Sequence, residues 1–357
     1  MIDIKSPVLL VNKKIASQNI DRMLEKANRS DVIFRPHFKT HQSAEIGELF
    51  RRKGVDKITV SSVTMAQFFA GKGWNDITIA FPLNILELET INTLASQIKL
   101  NVLVESAFVA EKLARIANTE LGIFIKIDTG YHRTGLLPSQ TIEIESIINV
   151  LEHSSLLHFK GFLTHAGHTY HARSKQEIIQ IKASALADLQ QLKERYKSRF
   201  PDLILSYGDT PSCSQTDDCN GFDEIRPGNF VYFDVMQYHL GSCSLADIAV
   251  AVACPVVAIH PEREEAVIYG GAVHLSKEFI AADNGFRLYG YIVKINTDEK
   301  WGTPLTGAYV SSLSQEHGIV KLPKTELKSL EPGDLLGVLP VHSCLANNLL
   351  KGTQFYI

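Results

Sequence analysis

No apolar run in this chain is long enough to cross a bilayer. The longest uncharged one, Ile248 to Ile259, is broken by Pro255 and falls short of the about 18–20 residues a spanning helix needs. The opening MIDIKSPVLLV has no basic stretch followed by an apolar core and a small-residue cleavage site, so no cleaved leader is expected. Cysteine is scarce. The 5 present among 357 residues build no disulfide framework, and the odd count favours reduced thiols and a cytoplasmic setting. An excess of one charge is also missing, with Lys plus Arg at 36 against 39 for Asp plus Glu and a formal net charge of −3. That balance excludes a strongly basic nucleic-acid binder and leaves no polybasic patch for a membrane surface. Hydrophobic residues at 45% and charged residues at 21% are ordinary for globular proteins. At roughly 150 residues per domain, the length suggests two domains.

Short β-branched runs alternate with amphipathic stretches through the first two-thirds of the chain. The runs are Val32–Phe34, Lys57–Ser61, Asp76–Phe81, Leu100–Val104, Gly122–Asp128, Phe159–His165, Leu203–Gly208 and Asn229–Phe233. Between them Ile15–Ala27, Ala44–Arg52, Ala107–Ala117, Thr141–Leu151 and Lys175–Lys197 show helical periodicity. Strand candidates separated by crossover-length helices point to parallel βα units and a closed (β/α)8 TIM-like barrel, with an open doubly wound sheet as the alternative. Beyond about Tyr238 the texture changes. Ala249–Ile259, Glu265–Tyr269, Leu288–Ile295, Ala308–Leu313 and Asp334–Leu339 read as strands without intervening helices. Gly270-Gly271, Asn284-Gly285, Asn296–Asp298 and Pro332-Gly333-Asp334 punctuate them as turns. The expectation is a barrel over residues 13–238 and a second, mostly antiparallel β domain over 1–12 and 239–357, joined by the first strand, Pro7–Val11.

Residues with chemistry gather where the barrel strands end, the face on which barrels carry their sites. Arg35-Pro36-His37-Phe38-Lys39-Thr40-His41 follows the first strand. A Lys placed there, beside His and Arg, can be desolvated into a nucleophilic amine for Schiff-base chemistry. Lys126-Ile127-Asp128-Thr129-Gly130-Tyr131-His132-Arg133 follows the fifth strand and Thr164-His165-Ala166-Gly167-His168-Thr169-Tyr170 the sixth. Gly208-Asp209-Thr210-Pro211-Ser212 follows the seventh, and Arg226-Pro227-Gly228-Asn229 leads into the eighth. Glycines and hydroxyls at the last two strand ends suit backbone donors closing on a phosphate.

Together these motifs resemble the fold-type III pyridoxal-phosphate enzymes of the alanine racemase type. Arg-Pro-His-x-Lys-Thr-His, Gly-Asp-Thr-Pro-Ser, Ser-Gln-Glu-His-Gly at 314–318 and His-x-Cys at 342–344 narrow the resemblance to the D-serine dehydratase and D-threonine aldolase branch. It runs from about residue 6 to residue 350. The resemblance implies pyridoxal 5'-phosphate as cofactor, held by Lys39 as an internal aldimine, with Arg133 on the pyridoxal phenolate oxygen. It implies that His165 lies beside the ring and supports Arg226, which faces the pyridine nitrogen, and that Tyr170 stands near the cofactor. Gly208, Asp209, Thr210, Gly228 and Asn229 would surround the phosphate, mostly through backbone N–H groups. For Asp209, an N-cap reading stands equally open.

His342 and Cys344 are the informative pair of the second domain. On an extended segment, residues i and i+2 share a face, and imidazole plus thiolate suits Zn2+ or another divalent metal. The resemblance implies a metal there that takes the substrate's β-hydroxyl. Cys213, Cys219, Cys243 and Cys254 read as buried or loop thiols. The expectation is a lyase on a β-hydroxy D-amino acid, most readily D-serine dehydration to pyruvate and ammonia, with Lys39, Tyr170 and His342 as catalytic groups. Retro-aldol cleavage to glycine and an aldehyde uses the same parts. Racemisation would need Lys39 and a second base such as Tyr269, and leaves His342 and Cys344 idle. A non-catalytic pyridoxal-phosphate-binding regulator is the last alternative, and the extra β domain argues against it. By resemblance, the expected assembly is a homodimer with a small-molecule substrate.

Overall fold

The computed structural model describes residues 4–281, 285, 287–296 and 300–357. The expected turn at Asn284-Gly285 and most of that at Asn296–Asp298 lie outside these residues. The chain divides into two compact units, Asp21–Gly228 and Met1–Ile20 with Asn229–Ile357.

After β1 (Val8–Val11), the strands of the first unit are β2 (Ile33–Phe34), β3 (Lys57–Val60), β4 (Asp76–Pro82), β5 (Lys99–Val104), β6 (Leu121–Lys126), β7 (Leu157–Leu163), β8 (Ile204–Tyr207) and β9 (Glu224–Ile225). They form one parallel sheet in the order β2-β9-β8-β7-β6-β5-β4-β3. The residues after β2 close it onto β3, since Phe38 N donates to Thr59 O at 2.8 Å and Thr59 N to Pro36 O at 2.9 Å. The result is the expected TIM-like barrel. Its crossover helices begin where serine stands ahead of an apolar period. Ser43, Ser62, Ser106 and Ser174 each accept a backbone N–H from the first turn of Ala44–Arg51, Val63–Ala70, Ala107–Ile116 and Lys175–Tyr196, satisfying one of the donors a helix start leaves open.

The eighth strand corrects the sequence reading. Asn229–Phe233 was the apolar candidate, but Asn229–Val231 is a 3-10 turn and Glu224–Ile225 is the strand. Glu224 is fully buried and bonds Arg35 Nε at 2.5 Å and Ser206 Oγ at 2.6 Å. A charged residue paid for by partners elsewhere in the barrel hides a strand from any hydrophobicity pattern. Consequently Arg226-Pro227-Gly228 follows the eighth strand rather than preceding it.

The second unit is built on β10 (Val250–His260), β11 (Glu265–Tyr269), the short pair β12 (Ile280–Ala281) and β13 (Arg287–Leu288), β14 (Gly290–Lys294), β15 (Tyr309–Leu313), β16 (His317–Lys321), β17 (Leu335–Pro340) and β18 (Gln354–Tyr356). Its large sheet runs β11-β16-β15-β14-β17-β10-β1-β18 and closes through a second pairing of β10 with β11. β10 achieves this by bending at an irregularity between Val256 and Ala258. The first strand joins here as expected, antiparallel to β10, and only its pairing with β18 is parallel. No described helix is long and apolar enough to cross a membrane.

Candidate active site

The strand ends of the barrel gather cations. Half-buried Lys39 comes from the turn after β2, and it and Arg226 are the neighbouring charges that act on His37. Lys39 and Arg133 act likewise on His165. Burial, reinforced by these cations, holds both imidazoles well below the usual histidine range, so both are neutral. His165 Nδ1 lies 2.6 Å from Gly208 O, and the Tyr170 ring centroid is 6.5 Å from that of His165. Arg226 is nearly buried, its Nε donating to Ser206 Oγ at 2.7 Å and an NH2 proton to Thr164 O at 2.5 Å. Its described supports are therefore Ser206 and Thr164, where the resemblance implied His165. Burial lowers its pKa to about 10, so it keeps its proton at neutral pH. Behind it Ser206, Glu224, Arg35 and Asp76 continue one hydrogen-bonded chain across the barrel interior.

Around the glycines after β8 and β9 the backbone is crowded. A Cβ on Gly208 would stand 3.0 Å from Arg226 O, and one on Gly228 2.9 Å from His37 O. Asp209 caps the helix Thr210–Gln215, accepting from Ser212 N at 2.7 Å, Ser212 Oγ at 2.6 Å and Thr169 Oγ1 at 3.0 Å. Its carboxylate is thus occupied. Buried Thr210 Oγ1, by contrast, has no partner among the described residues.

Two members of the motifs separate on folding. His41 turns away from Lys39 into an aromatic core, its ring 4.3 Å from Phe38 and 5.8 Å from Phe50 between centroids. Burial drops it to about 3, and it serves packing. Lys126, quoted in the sequence without a role, is buried to 6% exposure beside Arg226. Burial and that cation lower its amine to about 7, and its Nζ donates to Ile127 O at 2.9 Å. Its position as the last residue of β6, just inside the strand end, was the available signal.

His342 and Cys344 lie in the β unit, on a helix start rather than an extended segment. His342 has extended backbone (φ −132°, ψ 100°) and caps Ser343–Leu349. The helix begins there because Asp234 Oδ2 accepts from Ser343 N at 3.0 Å and Ser343 Oγ at 3.2 Å, a partner 109 residues away. The two side chains still meet. Burial lowers the His342 pKa, but hydrogen bonding to Cys344 and the negative charge of Cys344 and Asp234 outweigh it and raise the imidazole to about 9. His342 Nδ1 is buried without a hydrogen-bond partner among the described residues. Asn229 belongs to this cluster by its side chain, with Nδ2 2.6 Å from Asp234 Oδ2, 3.2 Å from Ser343 Oγ and 3.5 Å from Cys344 Sγ. A thiol and an imidazole with an open nitrogen are donor types that a divalent metal takes, while the nearby Asp234 carboxylate is engaged by Ser343 and Asn229. Among the described residues no group of three His, Cys, Asp or Glu stands close enough to hold a metal ion, so His342 and Cys344 account for two ligands at most. Of the remaining thiols, Cys213 and Cys219 hydrogen-bond each other, a proximity their spacing did not reveal.

Known proteins resemble the chain across its length. It is 29% identical to the D-serine dehydratase of Dictyostelium discoideum, over 96% of this chain and 91% of that protein. The D-threonine aldolase of an Arthrobacter species is 24% identical over 65% of this chain and 62% of that protein. Among solved structures, the D-threo-3-hydroxyaspartate dehydratase of Delftia sp. HT23 superposes with a TM-score of 0.90 at 24% identity, covering 99% of this chain and 95% of that one, which speaks to the fold. Alanine variants of that dehydratase have been solved at a His and at a Cys two positions on, the Cys variant in a metal-free form. Residues 249–355 match the "Putative serine dehydratase domain". Residues 11–235 match the alanine racemase N-terminal domain, and with that match the chain belongs to this fold-type III family.

Proposed function

We propose that the protein is a pyridoxal-phosphate- and divalent-metal-dependent lyase that removes the β-hydroxyl of a D-amino acid, with D-serine converted to pyruvate and ammonia. The observation that carries this reading is the cation cluster at the barrel strand ends. Lys39, Lys126, Arg133 and Arg226 gather there, while Glu224 is already bound to Arg35 and Ser206. Lys126 and Arg226 are buried, Lys39 is half-buried and Arg133 is exposed. The desolvated charge among them calls for a counter-anion, which a phosphate with a phenolate would supply. The crowded backbone at Gly208 and Gly228 and the unpartnered Thr210 hydroxyl fit the phosphate end.

Bound there, pyridoxal phosphate supplies an electron sink that acidifies the substrate's α-hydrogen. Lys39 would hold the cofactor through its side-chain amine, and the same Nζ is the group that would take the substrate's α-proton. Arg226, a donor that keeps its proton, would face the pyridine nitrogen. A partner of that kind would leave the cofactor a weaker electron sink, so that help would be needed at the β-carbon. Arg133 takes the phenolate oxygen, Tyr170 and His165 flank the ring, and backbone N–H groups from Gly208 to Thr210, at Gly228 and at Asn229 take the phosphate. His342 and Cys344 hold the metal, read as zinc from its soft and borderline ligands, which acts as a Lewis acid on the β-hydroxyl. On this reading the cofactor belongs to residues 13–238 and the metal to 1–12 with 239–357, and the family matches support that division. A homodimer and a cytoplasmic setting belong to the same proposal, the latter in keeping with five cysteines that form no disulfide.

Elimination is preferred over aldol cleavage because the dehydratase resemblance spans 96% of the chain and the aldolase resemblance 65%. The test is an assay of the pyridoxal-phosphate-loaded protein with D-serine, with and without chelator. Pyruvate that disappears on metal removal supports the reading. Chelator-insensitive interconversion of alanine enantiomers with no pyruvate overturns it.

A further inference from the structure

Tyr131 entered no role above, yet it touches two groups that did. It lies in the loop after β6, whose backbone is tied down on every side. Asp128 Oδ1 accepts from Gly130 N and His132 N at 3.0 Å each, Gly135 N donates to Glu105 Oε2 at 2.8 Å, and Leu136 N donates to Lys126 O at 2.9 Å. From this loop the half-buried Tyr131 ring carries the Arg133 guanidinium over its face, 4.9 Å from the centroid. The His165 ring meets its edge at 5.8 Å and 82°, and His168 stacks on it at 6.2 Å and 24°. Arg133 is exposed and has no ion pair among the described residues, so the aromatic face is what orients its charge.

Gly167 supplies an independent observation. Its backbone is not among those with positive φ, so its conformation does not demand glycine. A Cβ there would nevertheless stand 2.4 Å from a Tyr131 ring carbon, well inside contact distance. Glycine at 167 makes room for the ring.

We infer that Tyr131 is a positioning residue of the active site, its ring, seated on Gly167, holding Arg133 and His165 in register. This rests on the reading that both face the cofactor. Arg133 otherwise sits on a long, exposed side chain with many rotamers, and fixing it in advance removes an ordering cost when the cofactor and substrate bind.

The test uses the pyridoxal-phosphate-loaded enzyme. Tyr131→Leu keeps apolar bulk and removes the π face. It is expected to lower kcat for D-serine about tenfold or more and to change the visible absorbance and circular dichroism of the bound cofactor. Tyr131→Phe keeps the ring and is expected to restore most of both. Gly167→Ala pushes the ring from its seat and should reproduce the Leu spectrum by a different route, should the Leu variant fold poorly. A Leu variant with wild-type kcat and spectrum overturns the inference, as does a Phe variant impaired as deeply as Leu. A wild-type protein that takes up no cofactor would instead overturn the functional reading itself, so the two failures are distinct.

Discussion

The barrel unit and the β unit place opposite charges on different kinds of backbone. In the barrel, the gathered groups are cations, each within a few residues of a strand end: Lys39 after β2, Arg133 after β6, Arg226 after β9. In the β unit, the gathered groups are a thiol, an imidazole raised by neighbouring negative charge, and the carboxylate of Asp234, set on a helix cap. One environment suits a phosphorylated anion and the other a divalent cation. The barrel repeats a strand end at each βα connection and sets these cations at three of them, so it leaves a string of local motifs. The second is assembled once, from Asn229 and Asp234 with partners 109 to 114 residues further on, and leaves only a two-residue trace.

The sharpest way to break this contrast is to remove one pole at a time. Lys39→Ala should abolish turnover, by roughly 10^3-fold or more, and leave no borohydride-trapped cofactor on residue 39 by peptide mass spectrometry. Trapping at full yield on another lysine would move the anchor, with Lys126 the first place to look. His342→Ala or Cys344→Ala should cost roughly 10^2-fold or more in D-serine elimination while the cofactor's visible band stays, because the residues proposed to anchor the cofactor are others. Elemental analysis should show metal lost from both variants, and unchanged metal content would remove the pair from that role.

The chemistry at the metal pole is probed by D-threonine. Elimination yields 2-oxobutyrate and retro-aldol cleavage yields glycine with acetaldehyde, and 2-oxobutyrate is expected to dominate. Glycine as the main product would assign the aldolase reaction to the same residues. Asp234→Ala should act less severely. It removes the cap that starts the Ser343–Leu349 helix and the acceptor that orders Asn229. A loss of about 1–2 kcal/mol in stability and of roughly 10- to 100-fold in metal affinity is expected, measurable by denaturant unfolding and metal titration.

A pH-dependent effect, without direct bearing on turnover, concerns Lys126. Its folded pKa of about 7 lies below the unfolded value of about 10.4, so the unfolded chain binds the extra proton between these limits. Stability of the cofactor-free protein should therefore rise with pH across that window. Relative to Lys126→Met, wild type should gain about 3 kcal/mol from pH 7 to 9.5. Parallel pH profiles for the two proteins would show that the amine stays protonated in the fold.

Legibility differed in the same way between the two units. The helices Ala44–Arg51, Thr141–Glu152 and Lys175–Tyr196 fell where the apolar period placed them, because that signal is local. β9 did not, since buried Glu224 reads as surface until Arg35 and Ser206 are seen beside it. β16 and β18, His317–Lys321 and Gln354–Tyr356, were missed as strands because each is short and alternates polar with apolar residues weakly. His37 and His41 shared one motif, and nothing in their spacing showed that one would face Lys39 and Arg226 and the other a cluster of phenylalanines.

By itself, the sequence determined what repeats along the chain: parallel βα units, a change of texture near residue 238, and reactive residues at successive strand ends. Periodicity, caps and turn residues act over a few positions and need no distant partner. Tertiary structure alone decided where charge is paired and where it is left over. Burial and Arg226 lower Lys126, Asp209 spends its carboxylate on a helix cap, and Asp234 turns His-x-Cys into a helix start. Desolvation and Coulomb energy depend on which groups meet across the fold, and chain order does not record those meetings.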